Sequence, residues 1–220
     1  MNTPRAFVEI ARTSRLLEEM PAPAQWLSPS ENARLAALRH SQRREQYLAG
    51  HWLARVLLAH AFGREPMLWS LLERRSLPPL VSGHEESLCV SLSHAGDWIA
   101  AAVADAPVGI DIEPRGRVLD AALEPLLLEP GETSGSVVDD ALLRRWVAKE
   151  AWLKREAGLA LPEQLARLRL REVARAHADV RLECHDEIHL AIALVSGCVV
   201  ERRCEVAWAD GESYAVGADQ

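Results

Sequence analysis

Three short apolar segments in the middle of the chain constrain the fold most strongly. Leu88 to Ser93 and Trp98 to Val103 are β-prone runs on either side of the turn-like tetrapeptide His94-Ala95-Gly96-Asp97. Val108 to Ile112 follows after a second short break. Short apolar runs separated by turn residues predict a β-hairpin followed by a third strand. The middle of the chain is therefore predicted to form a sheet.

Helices are predicted on both sides of these strands. The segment Ser28-Pro29-Ser30-Glu31 has the pattern of a helix entry, with one of its serines as the cap, and leads into a helix to about Leu38. A second helix is predicted from about Arg43 to Phe62, with a buried stripe at spacings of three and four that includes His51 and Arg55. A third is predicted from Asp139 to near Gly158.

The second half repeats this order of helix and strands. Further strands are predicted around Val180 to Cys184, Ile188 to Val195 and Cys204 to Trp208. Residues 124 to 140 combine prolines, glycines, serines and acidic residues, which favours an exposed, mobile loop. Residues after Trp208 are predicted to be a loose tail. The whole pattern predicts an α+β protein.

Composition narrows the class of protein. Of the 220 residues 49% are apolar and 26% charged, which is typical of a soluble globular chain. No apolar run approaches the roughly 20 residues of a membrane-spanning helix, and the N-terminus lacks a secretory pattern, so a cytoplasmic location is expected. The net charge of −7 argues against binding to nucleic acid. Basic residues nevertheless concentrate between Arg34 and Arg55, where they would face a small polyanion or form a solvated helix face.

The cysteines carry no metal or redox pattern. None of them stands in a C-x-x-C spacing, and in a reducing compartment they are interpreted as small buried apolar residues. They are Cys89, Cys184, Cys198 and Cys204.

Two carboxylates stand two positions apart in V-G-I-D-I-E-P. On a strand, Asp111 and Glu113 would point to one face while Ile110 and Ile112 point to the other. Two carboxylates on one face repel each other unless a cation lies between them, and Mg²⁺ prefers such oxygen ligands. The end of a surface strand would give the same pattern.

Two further motifs also place polar side chains close together. W-V-A-K-E-A-W-L-K places Glu150 and Lys154 on one helix face, with Trp146 one turn before Glu150. S-L-S-H ends a predicted strand with Ser93 and His94, whose hydroxyl and imidazole are able to bind phosphate oxygens. Each pattern alone also fits an ordinary solvated pair or an exposed turn.

Taken together, the three motifs resemble the signature of Sfp-type phosphopantetheinyl transferases, over about residues 30 to 210. In that family V-G-(I/V)-D-(I/V)-E on a strand and W-x-x-K-E-x-x-x-K on a helix meet at one site. The resemblance implies a pseudo-dimer of two similar α/β halves, residues 1–108 and 109–207, with a tail at 208–220. Coenzyme A would lie at the junction of the halves.

The resemblance also implies an activity. The chain would be an Mg²⁺-dependent, monomeric transferase that moves the 4′-phosphopantetheine arm of coenzyme A to a serine of an apo acyl or peptidyl carrier protein and releases 3′,5′-ADP. Such carriers serve fatty acid, polyketide or nonribosomal peptide biosynthesis. The alternative is a carrier-protein or nucleotide-binding module that keeps the fold without turnover.

Residue roles follow from the same resemblance. Asp111, Glu113 and Glu150 would coordinate Mg²⁺. Either Glu150 or Lys154 would act as the general base, and the sequence leaves both open. Contacts to coenzyme A would come from Arg44, His51, Arg55, Ser93, His94, Lys149 and Lys154.

Two positions depart from the family pattern. His51 stands where arginine is common, and neutral imidazole offers one donor where guanidinium offers five. Leu77 replaces a lysine expected near the pyrophosphate, and Arg74 or Arg75 is a candidate to compensate. Both departures concern the affinity for coenzyme A rather than the class of reaction.

A competing pattern is H-D-E-I-H, which is superficially similar to a zinc-protease motif with His185 and His189 as ligands. The segment is predicted to be a strand, however. Positions four apart on a strand are separated by roughly 13 Å, too far to share one zinc ion. Zinc hydrolysis is therefore disfavoured.

Overall fold

The chain folds into alternating helices and antiparallel strands. The computed structural model describes residues 3–75, 77–83, 87–128, 140–157, 162–185, 187–203 and 209–218. The first part contains β1 (Arg5–Arg12), α1 (Thr13–Glu19), α2 (Pro29–Ala37), α3 (Ser41–Phe62), β2 (Ser70–Arg74), β3 (Leu77–Ser82), β4 (Cys89–Ala95) and β5 (Trp98–Ala104). The second part contains β6 (Gly109–Pro114), α4 (Glu124–Leu127), α5 (Asp140–Arg155), α6 (Pro162–Arg167), β7 (Leu168–Glu172), β8 (Val180–Cys184), β9 (Ile188–Ala193), β10 (Val199–Arg202) and β11 (Ala209–Ala218). The predicted α+β class is confirmed.

The strands form two main sheets and a separate hairpin. The first sheet has the order β10-β1-β5-β4, in which β10 is parallel to β1 and the other pairs are antiparallel. The second has the order β6-β9-β8-β11-β7, with antiparallel pairs throughout. The hairpin consists of β2 and β3. The predicted β4–β5 hairpin and the strand after it are confirmed.

One long helix covers the outer face of each sheet, and the inner faces of the two sheets meet. On β5, Ile99, Ala101 and Val103 point toward α3, whereas Ala100 and Ala102 join the apolar layer between the sheets. All seven residues of β5 are buried because both of its faces are covered. α5 packs on the outer face of the second sheet. The junction of the sheets is thus a dry layer that fixes β4 and β6 side by side.

The predicted helix boundaries are largely confirmed. Ser28 and Glu31 form a capping box at the start of α2. α3 ends at Gly63, whose φ of 76° lies in the left-handed region that glycine adopts without strain. α5 ends at Arg155, and the predicted end near Gly158 lies outside the described residues.

Two sequence-based expectations about loops are wrong in part. Glu124–Leu127 forms α4 rather than loop, while residues 129–139 lie outside the described ranges. The expected loose tail is instead β11, which pairs with both β7 and β8 from Ala209 onward. This strand was not predicted because its sequence, A-D-G-E-S-Y-A-V-G-A, mixes polar and apolar residues without a clear alternation. The predicted strand Cys204 to Trp208 also lies outside the described residues.

The proposed division of the chain at residue 108 is crossed by one strand. β10 comes from the second part of the chain but pairs with β1 of the first sheet, with Arg5 opposite Val199. The two parts therefore interlock, and the division at 108 stays a prediction.

Side chains rather than backbone ladders join β4 to β6. Ser91 Oγ accepts a hydrogen bond of 3.0 Å from the backbone N–H of Ile110, and Ser93 Oγ accepts one of 3.3 Å from that of Ile112. Gly109 lets α5 approach β6 closely, because a Cβ there would overlap the carbonyl oxygen of Ala151. Serines on one side and glycine on the other thus bring β4, β6 and α5 to one place.

The H-D-E-I-H segment behaves as the strand prediction requires. His189 lies on β9, and its buried ring bonds Asp140 at 2.7 Å and contacts the sulfur of Cys184 at 3.5 Å. His185 packs edge-on against Trp98. Burial raises the pKa of the Cys184 thiol.

Within the described ranges, no helix is long and apolar enough to cross a membrane.

Candidate active site

A groove opens where β4, β6 and α5 meet. Three adjoining depressions of about 630, 450 and 630 Å³ lie along this junction, and Leu92 of β4 lines all three. We call their combined surface the junction groove. Its basic lining residues are Arg34, Arg43, His51, Arg74, Arg75, His94, Arg117 and Lys154, and its acidic ones are Glu73, Asp111 and Glu113.

Asp111 is the central acid of the groove. Its Oδ1 accepts hydrogen bonds from Ser93 Oγ at 2.8 Å and from Lys154 Nζ at 2.7 Å. Its Oδ2 is buried and has no hydrogen-bond partner among the described residues. A buried carboxylate oxygen without a partner is costly, so this atom is suited to a ligand that arrives from the groove.

Glu113 lies two residues further along the same face of β6, as the alternation of the strand predicts. Its Oε1 accepts a hydrogen bond of 3.2 Å from Trp146 Nε1 and is ion-paired with Arg117. Burial and the charge of Asp111 raise the pKa of Glu113, even though Arg117 acts in the opposite direction. The two carboxylates therefore lie close enough to repel one another.

Glu150 joins them from α5. Burial raises the pKa of Glu150 to about 7, with further contributions from the charges of Asp111 and Glu113 and an opposing one from Lys154. The strand and helix motifs themselves meet in the 2.7 Å hydrogen bond from Lys154 of α5 to Asp111 of β6.

Asp111, Glu113 and Glu150 do not converge on one point in this structure. In the part of the chain that the structure describes, no group of three or more His, Cys, Asp or Glu side chains converges closely enough to hold a metal ion. The chemistry of the donors nevertheless fits a hard divalent cation, since all three are carboxylates and Asp111 Oδ2 lacks a partner. Mg²⁺ coordination by these residues stays a prediction.

The basic side of the groove combines residues from both parts of the chain. Arg34, Arg74 and Arg75 line one depression together with Lys154. Leu77 lines the same depression, so Arg74 and Arg75 lie where the sequence analysis expected a compensating charge. This end of the groove is suited to an anionic ligand.

At the other end, the His94 ring and the Arg43 guanidinium are hydrogen-bonded. Partial burial lowers the pKa of His94, and the positive charges of Arg43 and Lys154 add to the effect. His94 is therefore a neutral member of the basic lining at physiological pH, and Arg43 carries the charge.

Arg55 does not reach the groove, which corrects its assignment to coenzyme A. Its side chain is fully buried, and all five of its N–H groups are used. Two pair with the Glu31 carboxylate at 2.8 and 2.6 Å. The others donate to the backbone carbonyls of Trp69, Trp26 and His51. Arg55 is a structural residue of the first core.

His51 and Arg44 are also engaged within the fold. The His51 ring is buried, contacts Glu31 at 2.7 Å and Glu73 at 3.3 Å, and stacks on Tyr47. One edge of it lines the 450 Å³ depression. Arg44 donates to the carbonyl of Leu35 at 2.5 Å and so closes the C-terminus of α2. The contacts of Arg44 and His51 to coenzyme A stay a prediction.

Lys149 points away from the site, a second correction. It is fully buried and donates to the carbonyls of Leu126 at 2.7 Å and Leu165 at 3.1 Å. It therefore ties α4 and α6 to α5 rather than adding charge to the groove. Ser93, also assigned to coenzyme A, is buried and spends its hydroxyl on Asp111 and on the N–H of Ile112.

The roles of four residues in or beside the groove were not predicted from the sequence. Arg34 and Arg43 belong to the basic cluster before Arg55, but nothing in the spacing separates them from its structural members. Trp146 was noted on the helix without a partner, whereas its indole N–H binds Glu113. Arg117 carries no sequence signal at all, because its role depends on the turn that follows β6.

Glu150 gives a prediction about stability in the absence of divalent metal. Because its folded-state pKa of about 7 lies above the ordinary value of 4.5, folding becomes less favourable as pH rises between these values. Glu150→Gln is expected to raise the free energy of unfolding by about 1 to 3 kcal/mol at pH 8, and by much less at pH 5. Urea unfolding with EDTA at both pH values measures the gain.

The matched control is Glu156→Gln, an exposed acid just beyond α5 that pairs with its neighbour Arg155. It is expected to change stability by less than about 0.5 kcal/mol at either pH. An equal gain at pH 5 and pH 8 for Glu150→Gln would show that the charge of Glu150 is not the cause.

The fold and the groove define an α+β chain in which the acids of β6 and Lys154 of α5 line one groove with a basic rim. No protein-family model matches the chain. It is 30% identical to the 4′-phosphopantetheinyl transferase psf-1 of Bacillus pumilus over 149 residues, 63% of this chain and 61% of the relative. It is 28% identical to a 4′-phosphopantetheinyl transferase of Bacillus subtilis over 141 residues, 60% of this chain and 62% of the relative.

The chain thus spans about three fifths of the length of these curated relatives. The similarity confirms the resemblance found in the sequence motifs. The chain is thus similar to 4′-phosphopantetheinyl transferases, in agreement with its Sfp-type motifs.

Proposed function

We propose that this protein transfers the 4′-phosphopantetheine arm of coenzyme A to a serine of an apo acyl or peptidyl carrier protein and releases 3′,5′-ADP. One observation carries the proposal: the D-x-E strand and the K-E-x-x-x-K helix meet at one groove, where Asp111 Oδ2 is buried without a partner among the described residues. The relatives named as phosphopantetheinyl transferases support the same reaction class.

The acidic side of the groove is the proposed Mg²⁺ site, with Asp111, Glu113 and Glu150 as ligands. Bound there, Mg²⁺ would neutralise the charge that develops on the pyrophosphate as the carrier serine attacks the β-phosphate. Lys154 donates to Oδ1 of Asp111, so Oδ2 is the oxygen that would bind the cation. The raised pKa values of Glu113 and Glu150 support a site that lacks one positive charge.

The basic side is the proposed phosphate site. Arg34, Arg74 and Arg75 would bind phosphate oxygens of coenzyme A at one end of the groove, and Arg43 with His94 at the other. Guanidinium groups suit this role because they present paired donors to phosphate. These arginines, rather than Arg55 and Lys149, are the proposed phosphate ligands, because Arg55 and Lys149 donate their hydrogen bonds inside the fold.

Glu150 is the proposed general base for the carrier serine. In the metal-free protein burial raises the pKa of Glu150 to about 7. Bound Mg²⁺ would lower this pKa, so Glu150 would be the ionised acceptor of the serine proton, directly or through a water molecule. Lys154, the rival candidate, donates to Asp111 and to the carbonyl of Leu92, so its ammonium group acts as a bound cation. Glu150 is therefore proposed ahead of Lys154, which remains the alternative.

We also propose that the two parts of the chain are related as a pseudo-dimer. The strand order β1-β5-β4 in the first sheet matches β6-β9-β8 in the second, and a long helix covers each. The carrier protein would dock on the segment after Glu113, where Val118 is exposed. A cytoplasmic monomer is the expected form of the enzyme.

One assay tests the function. The protein is incubated with coenzyme A, Mg²⁺ and several apo carrier proteins, and the carriers are analysed by mass spectrometry. The expected result is the mass increment of phosphopantetheine on at least one carrier, lost when EDTA is added. Failure with every carrier, together with retained binding of coenzyme A, would favour the non-catalytic binding module.

A further inference from the structure

Arg117 lies at the acidic side of the junction groove and has no role in the transfer proposed above. Gly116, with φ of 74°, turns the chain back after β6, and the backbone N–H of Arg117 donates to the carbonyl of Pro114. This turn places the guanidinium on Glu113 Oε1. Arg117 therefore pairs with Glu113, the proposed metal ligand that also accepts a hydrogen bond from Trp146.

The charge of Arg117 acts on more than one acid. It lowers the pKa of Glu150 as well as that of Glu113, although burial and Asp111 outweigh it at both. Its guanidinium also lies 5.9 Å from the centre of the Trp146 ring. Arg117 thus stands among the acids, where a divalent cation would be expected to bind.

The two internal cations of the site differ in how firmly they are held. Lys154 comes from α5, is 28% exposed, and donates to Asp111 and to a backbone carbonyl of β4. Arg117 comes from a turn and its side chain is 40% exposed, so its ion pair is weak and easily exchanged. Lys154 also leaves Asp111 Oδ2 without a partner among the described residues, whereas Arg117 pairs with Glu113 Oε1.

We propose that Arg117 is a tethered substitute for the metal ion: it neutralises Glu113 in the metal-free protein, and a divalent cation must displace it to bind. Arg117 then sets the metal affinity of the site without contacting the reacting phosphate. This inference rests on the metal site of the proposed function.

The expected size of the effect follows from the charges. Removing a half-exposed ion pair and one positive charge next to an incoming divalent cation is expected to lower the Kd for Mg²⁺ roughly fivefold to tenfold. Arg117→Gln is the test variant. Arg115→Gln is the matched control, because it removes one positive charge from the same turn but from a side chain 3.9 Å from Asp140.

Binding is measured without turnover. The full chain is labelled with ¹⁵N and titrated with MgCl₂ at constant ionic strength, and the indole N–H signal of Trp146, assigned through Trp146→Phe, reports occupancy beside Glu113. We expect saturable shifts in the parent, saturation at fivefold to tenfold lower Mg²⁺ in Arg117→Gln, and the parent Kd in Arg115→Gln. Thermal unfolding confirms that the variants are folded.

The outcomes separate the two proposals. Equal Kd values in the parent and Arg117→Gln, with binding lost in Asp111→Asn, would overturn the role of Arg117 and leave the metal site intact. Binding in Arg117→Gln but not in the parent would support the inference in its strongest form. No saturable shift in either protein would overturn both the inference and the proposed metal site.

Discussion

Asp111→Asn is expected to lower the rate of phosphopantetheine transfer by about 10²- to 10³-fold while the protein stays folded. Asparagine has the shape of aspartate, so Ser93 and Lys154 still find an oxygen to bond. The substitution removes the negative charge that the buried Oδ2 offers to the groove. Rates measured by carrier-protein mass spectrometry at several Mg²⁺ concentrations check both the loss and a weaker dependence on the metal.

Asp105→Asn is the matched control for this prediction. Asp105 lies in the turn before β6, and its carboxylate accepts a hydrogen bond from the backbone N–H of Arg5 outside the groove. Its replacement is expected to leave the transfer rate within about twofold of the parent, as for most surface changes away from a site. Near-normal turnover by Asp111→Asn would contradict the assignment of Asp111 to the metal site.

The fold elements that were predictable depend on local pattern. The β4–β5 hairpin, the alternation of Asp111 and Glu113 with Ile110 and Ile112, and the Ser28 cap follow from spacing within a few residues. β10 and β11 were not predictable in this way, because their pairing partners lie far away in the chain. β10 is in addition an edge strand, which needs no strict apolar alternation.

The candidate site shows the same limit. The acids were found because D-x-E and E-x-x-x-K fix which side chains share a face. The charged residues Arg55 and Lys149 were misassigned because sequence alone does not reveal a buried partner such as Glu31 or the carbonyl of Leu126. The helical stripe of α3 already placed Arg55 on the buried side, which was the signal available for its structural role.

A rigid first core supports the basic end of the groove. Glu31 connects α2 to α3 through Arg55 and His51, and Tyr47 stacks on that histidine while donating to Glu73 at 2.8 Å. Glu73 lines the groove next to Arg74 and Arg75. The buried network therefore acts on the groove by holding its wall in place.

Arg55→Met is expected to lower the free energy of unfolding by about 3 to 5 kcal/mol, because it leaves the buried Glu31 carboxylate without its main partner. Burial alone would raise the pKa of Glu31, but hydrogen bonds from His51 and Arg55 hold it at about 2. Since this lies below the ordinary value of 4.5, the carboxylate stabilises the fold above pH 4.5 and loses that effect as pH falls toward 2. Urea unfolding at pH 7 measures the loss.

Arg64→Met provides a surface comparison, since Arg64 lies just beyond α3 and donates to the carbonyls of Gly83 and Leu68. Its expected cost is below about 1 kcal/mol. Adding Glu31→Gln to Arg55→Met is expected to recover part of the stability, because the uncompensated charge is gone. KM for coenzyme A, measured under conditions where Arg55→Met is folded, is expected to stay near the parent value, because Arg55 does not line the groove and Tyr47 still binds Glu73 at its wall. If Arg55→Met is stable and its KM for coenzyme A is greatly raised, Arg55 is a contact to the nucleotide after all.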